Sequence, residues 1–354
     1  MINQSKLAYP IFFGDNSLSQ FSAWLKDQND FSNIVLLADE NTLRHCVPDL
    51  ISGIKELEGV EFLEIESGEH QKNIEVATQL WMALSEMHLD RNSLIINVGG
   101  GVIGDIGGFV AAAYKRGVSF VQIPTTLLAM VDASVGGKVG IDLQELKNQV
   151  GFFAEPKAVV VYPPFLDTLH VDQVKSGYAE MIKHGLIADA NYYHELQEFD
   201  LVGCHKFIEQ SIEIKAAIVS LDFTEQGKRK NLNFGHTFGH AFESLYLNSN
   251  EPILHGMAIV AGMICEVLVS EVLLKLPKNV AEDIIQFLTA HYQKIPFTQE
   301  DFPAILSLMK NDKKNNNQEI KLVGITEIGK AVHDISIEDE QVYDVLHQYI
   351  GLYS

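Results

Sequence analysis

The chain has 354 residues, 47% of them apolar, with 26 Lys plus Arg against 47 Asp plus Glu, a formal net charge of −21. That length predicts two domains rather than one core, and the acidity argues against nucleic acid or an anionic membrane as partner. Cys46, Cys204 and Cys265 are far apart and in no paired-ligand spacing, which predicts a reducing compartment, a cytoplasmic location and no disulfide framework.

Taken in chain order, the start Met1–Lys6 lacks the basic and apolar regions of a signal peptide. Strands are predicted at Asn33–Ala38, at Val60–Ile65 with the alternation of a half-exposed strand, and at Ser93–Val98, which runs straight into three glycines. An apolar helix comes next, from Ile106 to Tyr114, then strands at Phe120–Ile123 and Ala158–Tyr162. Strands alternating with helical segments predict a mostly parallel sheet covered by helices. Pro163-Pro164 marks a boundary, and beyond it the periodicity is helical, apart from one strand signal at Ile320–Gly324. The expected architecture is a Rossmann-like α/β domain over 1–165 and an all-α, metal-binding domain over 166–354. Gly256–Cys265 is the longest apolar run, but Glu266, Ser270 and Glu271 interrupt its continuation, so it reads as a buried core helix rather than a membrane span. Lys313–Asn317 reads as a loop.

Two motifs carry chemistry. Gly99-Gly100-Gly101-Val102-Ile103-Gly104-Asp105 comes after a strand and opens a helix, so its backbone can approach a pyrophosphate at the helix N-terminus. The acid usually found about 20 residues later is missing, and Asp39, at the end of an earlier strand, is a candidate for the ribose. A glycine motif alone is often only a tight turn; six glycines within Gly99–Gly108 and the strand context favour nucleotide binding. The second motif is His236 and His240, four residues apart and so on one face of a helix. Such a pair alone equally suits an ordinary half-buried helix surface. With His255 at the head of an apolar run and Glu180 upstream, it offers the donor set of a catalytic zinc-type site. Lys138, Lys147, Lys183, Lys215, Arg229 and Lys230 lie in motif-like stretches of an otherwise acidic chain, which suggests a small anionic substrate.

These stretches resemble the 3-dehydroquinate synthase family of sugar phosphate cyclases. The matching segments are Ser67–Lys72, Gly99–Gly108, Arg116-Gly117, Gln122–Lys138, Lys147-Asn148, Tyr178–Lys183, Lys215, Arg229–Glu243 and Leu254–Gly256. The resemblance implies a divalent metal, zinc or cobalt, on Glu180, His236 and His255. It implies NAD on Asp39, Glu69, Lys72, Gly100, Gly101, Val102, Ile103, Gly104, Asp105, Thr125, Thr126, Leu128, Asp132, Lys138, Lys147, Phe165 and Thr168. Around the substrate it implies Arg116, Asp132, Lys138, Asn148, Lys183, Lys215, Arg229, Asn233, His240 and Lys321. The implied reaction is that of a phosphate-eliminating lyase of the shikimate pathway. It converts 3-deoxy-D-arabino-heptulosonate 7-phosphate (DAHP) to 3-dehydroquinate and phosphate, in a homodimer with one site per subunit between two domains. Another sugar phosphate cyclase, or a metal- and NAD-dependent polyol dehydrogenase, is the alternative. Three positions depart from the family pattern: Met257 where Glu is common, Val139 where Thr is usual, and Gln144-Glu145-Leu146 in place of Pro-Leu-Gly.

Overall fold

Short apolar runs that alternate with amphipathic stretches have one economical solution: strands side by side in a sheet whose two faces are covered by the intervening helices. In the computed structural model, which describes residues 7–28, 31–143, 146–198, 201–246, 252–310 and 319–352, the chain divides into two compact units. The start Met1–Lys6, the Lys313–Asn317 segment and Gln144-Glu145 lie outside the described residues.

The strands are β1 (Ile11–Phe13), β2 (Ile34–Asp39), β3 (Glu61–Ile65), β4 (Leu94–Gly99), β5 (Ser119–Pro124), β6 (Lys138–Leu143), β7 (Leu146–Phe153), β8 (Ala158–Val161), β9 (Ile320–Glu327) and β10 (Lys330–Ile337). Six of them form the sheet of the first unit in the order β1-β8-β5-β4-β2-β3, every neighbouring pair parallel. Central strands β4 and β8 are buried at every residue, whereas edge strand β3 exposes most of its side chains, as its alternating sequence predicts. From β2 the order runs outward through β3 on one side and through β4 on the other. The carboxyl ends of β2 and β4, at Asp39 and Gly99, therefore flank the switch point where open α/β sheets bind ligands.

A hairpin of β6 and β7 completes this unit; Gly140 faces Gly151 in its register. A Cβ on Gly151 would lie 2.4 Å from the Val139 carbonyl oxygen, so a side chain cannot replace that hydrogen. The first unit comprises residues 1–174 and 215–223. It runs past the expected boundary at residue 165 because Pro163-Pro164 does not open a linker but begins a 3₁₀-helix, Pro163–Thr168. Lys215 belongs here as well, and its ammonium pairs with Asp132 of the same unit.

The second unit, residues 175–214 and 224–354, is mostly helical. It is not all-α: β9 and β10 form an antiparallel hairpin, of which the sequence signalled only the apolar start of β9. Helix His255–Leu273 is long and apolar enough to cross a membrane, yet 78% of its apolar window is buried inside the protein, as a core helix requires.

Candidate metal and cofactor sites

Three helices build the cluster in the second unit. Helix Val171–Ala188 carries Glu180 and Lys183 one turn apart, both buried, with the Lys183 ammonium against Glu180 Oε2. His236 and His255 are each the first residue of a helix, His236–Tyr246 and His255–Leu273. The start of the latter is seated on the first helix: Gly256 N–H donates to Ser176 Oγ at 2.9 Å. A Cβ on Gly256 would come within 2.2 Å of the Ser176 carbonyl oxygen, so glycine is required for that approach. Glu180 lies one turn beyond Ser176 and thereby meets both imidazoles.

Glu180 Oε1 is 3.8 Å from His236 Nε2 and 3.7 Å from His255 Nε2, and the three donor atoms all lie within 4.8 Å of one another. Donors about 2.1 Å from a tetrahedral zinc stand roughly 3.4 Å apart. The set therefore fits a divalent ion with little adjustment and leaves positions open for further ligands. Both histidines are oriented from behind. His236 Nδ1 donates to the Phe234 carbonyl at 3.1 Å, and His255 Nδ1 faces Glu243 Oε2 at 3.3 Å. These partners fix the tautomers in which Nε2, facing Glu180, carries the ligating lone pair. Burial opposes charge on His255, but the carboxylates of Glu243 and Glu180 outweigh it and push its pKa up to about 10. The negative charge that raises this pKa equally favours a metal cation beside Nε2 and Glu180.

His240 shares the helix face with His236 and Glu243; its ring centroid is 5.2 Å from that of His236 and 6.1 Å from that of His255. His240, Glu243 and His255 form a second, overlapping donor trio. Glu243 had no role assigned from sequence, although its position seven residues after His236 marks the same helix face. Arg229 is buried in the 3₁₀ stretch Lys228–Asn233, and Asn233 Nδ2 donates to Glu225 Oε1 at 2.7 Å. Lys321 is half-buried on β9, and its carbonyl accepts from Thr237 Oγ1 at 3.2 Å.

In the first unit the glycine turn performs two jobs. Gly100 caps helix Gly101–Ala113, and a small cavity beside it is lined by Gly99, Gly100, Gly101, Gly104, Ala133 and Ser134 among others. Gly107 and Gly108 serve packing instead: a Cβ there would lie 2.1 Å from Asn97 Oδ1 and 2.3 Å from Val139 Cγ1. Val139, a departure from the family pattern, is thus a packed core residue. Thr125 N–H donates to the Gly99 carbonyl, Thr126 Oγ1 accepts from Ala129 N–H, and half-buried Leu128 immediately precedes a π-helical turn, Ala129–Ala133. Asp39 caps helix Glu40–His45 through Thr42 N–H, and Phe165 is buried with its ring edge-on to Tyr162.

Lys72 is buried among Glu69 at 2.8 Å, Asp105 at 3.3 Å and Asp142 at 3.8 Å, and Lys147 reaches Glu69 at 3.4 Å. Burial lowers the affinity of Lys72 for its proton, but the three carboxylates together raise its pKa. Burial pushes the Asp105 carboxyl up to about 6, against the pull of Lys72. Asp142 was missed from sequence; it joins this network and also accepts from the N–H of Asn148, a residue at φ 52°, at 2.6 Å. Lys215 Nζ is 2.7 Å from Asp132 Oδ1, while Lys138 is exposed at the start of β6. Arg116 is exposed in a turn past the C-terminal end of helix Gly101–Ala113, about 20 Å of helix from the glycine turn. Its expected place in the substrate group is thus remote from the glycine turn of its own unit.

The family model for the 3-dehydroquinate synthase N-terminal region matches residues 62–176, and that for the C-terminal region matches residues 177–315. A 3-dehydroquinate synthase of Parabacteroides distasonis is 39% identical over 339 residues, covering 94% of this chain and 95% of its own. The chain belongs to the 3-dehydroquinate synthase family. It is an enzyme of that family by both measures. Two solved structures share its fold at lower identity. One is 2-deoxy-scyllo-inosose synthase complexed with carbaglucose-6-phosphate, NAD⁺ and Co²⁺ (TM-score 0.85, 23% identity, 96% of each chain). The other is ValA, the 2-epi-5-epi-valiolone synthase of Streptomyces hygroscopicus subsp. jinggangensis, with NAD⁺ and Zn²⁺ bound (TM-score 0.80, 21% identity, 99% of each chain).

Proposed function

We propose that the protein converts DAHP to 3-dehydroquinate and phosphate, with NAD⁺ used catalytically and zinc or cobalt held by Glu180, His236 and His255. The observation that carries this reading is the buried Glu180–His236–His255 trio, braced by Glu243 and Lys183 in a chain of this family. Bound there, a divalent ion supplies positive charge that polarises vicinal hydroxyls of the substrate. Asp39, Glu69, Lys72, Asp105 and the glycine turn would hold NAD⁺, which would supply the transient oxidation that acidifies the C–H next to the oxidised carbon and favours loss of phosphate.

The chain's own groups do the rest. Lys183 holds Glu180 in its ligating orientation through Oε2. His240, one turn from His236, takes the proton of the hydroxyl to be oxidised, a task worth about 10²–10⁴-fold in rate. Arg229 gives a forked contact to an oxyanion, whereas Lys138, Lys147, Lys215 and Lys321 supply point charge to carboxylate, phosphate and pyrophosphate. Asn233 and Asn148 supply neutral amides to sugar hydroxyls. The buried thiols Cys46, Cys204 and Cys265 suit a reducing cytoplasm. A homodimer, checked by light scattering, is the proposed assembly.

The test is incubation with DAHP and Zn²⁺ at an NAD⁺ concentration far below that of the substrate. Many equivalents of phosphate and cyclic product per NAD⁺ are expected, with no accumulation of NADH. NADH formed in step with substrate, without phosphate, would replace this reading with the dehydrogenase one.

A further inference from the structure

Glu266 lies fully buried in helix His255–Leu273, three turns past His255, on a helix whose buried neighbours are almost all apolar. A carboxylate there has a cost that only specific donors offset. It accepts from two backbone amides at the start of a different helix. Glu266 Oε2 accepts from Gly235 N–H at 2.7 Å, and Oε1 accepts from Thr237 N–H at 3.2 Å. These two amides flank His236. Gly235 is the residue whose carbonyl starts helix His236–Tyr246, through Gly239 N–H at 3.0 Å. An N-cap normally accepts an amide of the first turn with its own side chain, and glycine has none. Glu266 supplies that acceptor from outside and places negative charge at the positive end of the helix dipole.

The two helices touch at this point. A Cβ on Gly262 would stand 1.8 Å from the Gly235 carbonyl oxygen, and one on Gly239 would stand 3.0 Å from that of Ala258. Gly235 itself sits at φ 80°, the left-handed region that turns the chain from the preceding 3₁₀ stretch into the helix. Glu266 is further held by Ser270, whose Oγ donates to the Glu266 carbonyl at 2.6 Å and accepts from Ile325 N–H of β9 at 3.0 Å. The carboxylate therefore ties the helix that begins at His255 to the first turn of the helix that begins at His236.

We infer that Glu266 is a positioning residue for the metal site: its bidentate cap on Gly235 and Thr237 sets the His236 imidazole relative to His255. This rests on the metal reading above. Glu266→Gln keeps the shape but turns an NH₂ toward one of the two amides; Glu266→Asp keeps the charge but is one methylene too short for both. The experiment is Co²⁺ titration of purified, chelator-treated protein, followed by visible absorption, with NAD⁺ affinity measured in parallel. Wild type takes up one Co²⁺ at this site. Both variants are expected to bind Co²⁺ 10- to 100-fold more weakly with an altered absorption band, the scale of a lost partner behind a ligand, while NAD⁺ affinity stays within about twofold. If the Gln variant does not fold, the Asp variant decides. Variants of wild-type Co²⁺ affinity and spectrum, with only a lower melting temperature, would overturn the inference and leave the metal reading intact. A wild type that binds no Co²⁺ would remove both.

Discussion

Gly262→Ala tests how closely the metal site depends on backbone contact between two helices. The added Cβ would lie 1.8 Å from the Gly235 carbonyl oxygen, 2.7 Å from Gly239 N and 2.8 Å from Gly235 C. All three are backbone atoms, so no rotamer change relieves the clash. Restoring an ordinary contact of about 3.5 Å moves one helix by roughly 1.5 Å. His236 starts one helix and His255 the other, with their Nε2 atoms 3.8 and 3.7 Å from the shared Glu180 Oε1. Metal–ligand distances tolerate only about 0.2 Å, so a displacement of that size breaks the donor set. Overpacking of this kind costs about 1–3 kcal/mol, which for a chain of this size lowers the melting temperature by roughly 1–4 °C. Metal affinity is expected to fall at least about 100-fold, beyond what the loss of a supporting contact alone produces. Calorimetric unfolding of the metal-free protein and zinc competition against a chromophoric chelator measure the two effects separately. A Gly262→Ala protein that binds zinc as wild type does, whatever its melting temperature, would refute the dependence of the site on helix contact.

The two histidines on one helix should separate by role: His236→Ala loses bound zinc and activity together, whereas His240→Ala keeps zinc and loses at least about 10²-fold in turnover, read by metal analysis and phosphate release. A metal-free His240→Ala protein would shift the site to the overlapping His240–Glu243–His255 trio. Dialysis against a strong chelator should abolish phosphate release and Zn²⁺ or Co²⁺ restore it; full activity in verified metal-free protein would contradict the proposal. Asp105 has a folded pKa of about 6 against an ordinary 3.8, so the folded state binds its proton more tightly than the unfolded state. Stability from this group is therefore present below about pH 4 and is lost as pH rises to 6, by at most about 3 kcal/mol. Asp105→Asn should flatten that window in denaturant titrations at a series of pH values and weaken NAD⁺ binding; an unchanged pH slope would rule out the raised carboxyl.

Much of the frame was legible in the sequence because it is local. Strand runs at residues 33–38, 93–98 and 158–162 carry their burial in their own composition, and a triple glycine between strand and helix announces a backbone turn. The spacing of His236 and His240 fixes a shared helix face whatever surrounds it. The buried character of helix His255–Leu273 comes from its apolar run broken by Glu266 and Glu271. Tertiary structure decided the rest, because those facts are contacts between residues distant in the chain. The hairpin of β6 and β7 has no clean period-two pattern, since glycines at facing positions replace side chains. Lys215 meets Asp132, 83 residues earlier, only because the fold brings residues 215–223 into the first unit. Asp142 and Glu243 look like ordinary acids until the fold sets them beside Lys72 and His255. Glu266 reads from sequence as an interruption in a core helix. Its meaning lies 31 residues away, at the amide of Gly235, because a buried carboxylate takes its function from the donors that the fold brings to it.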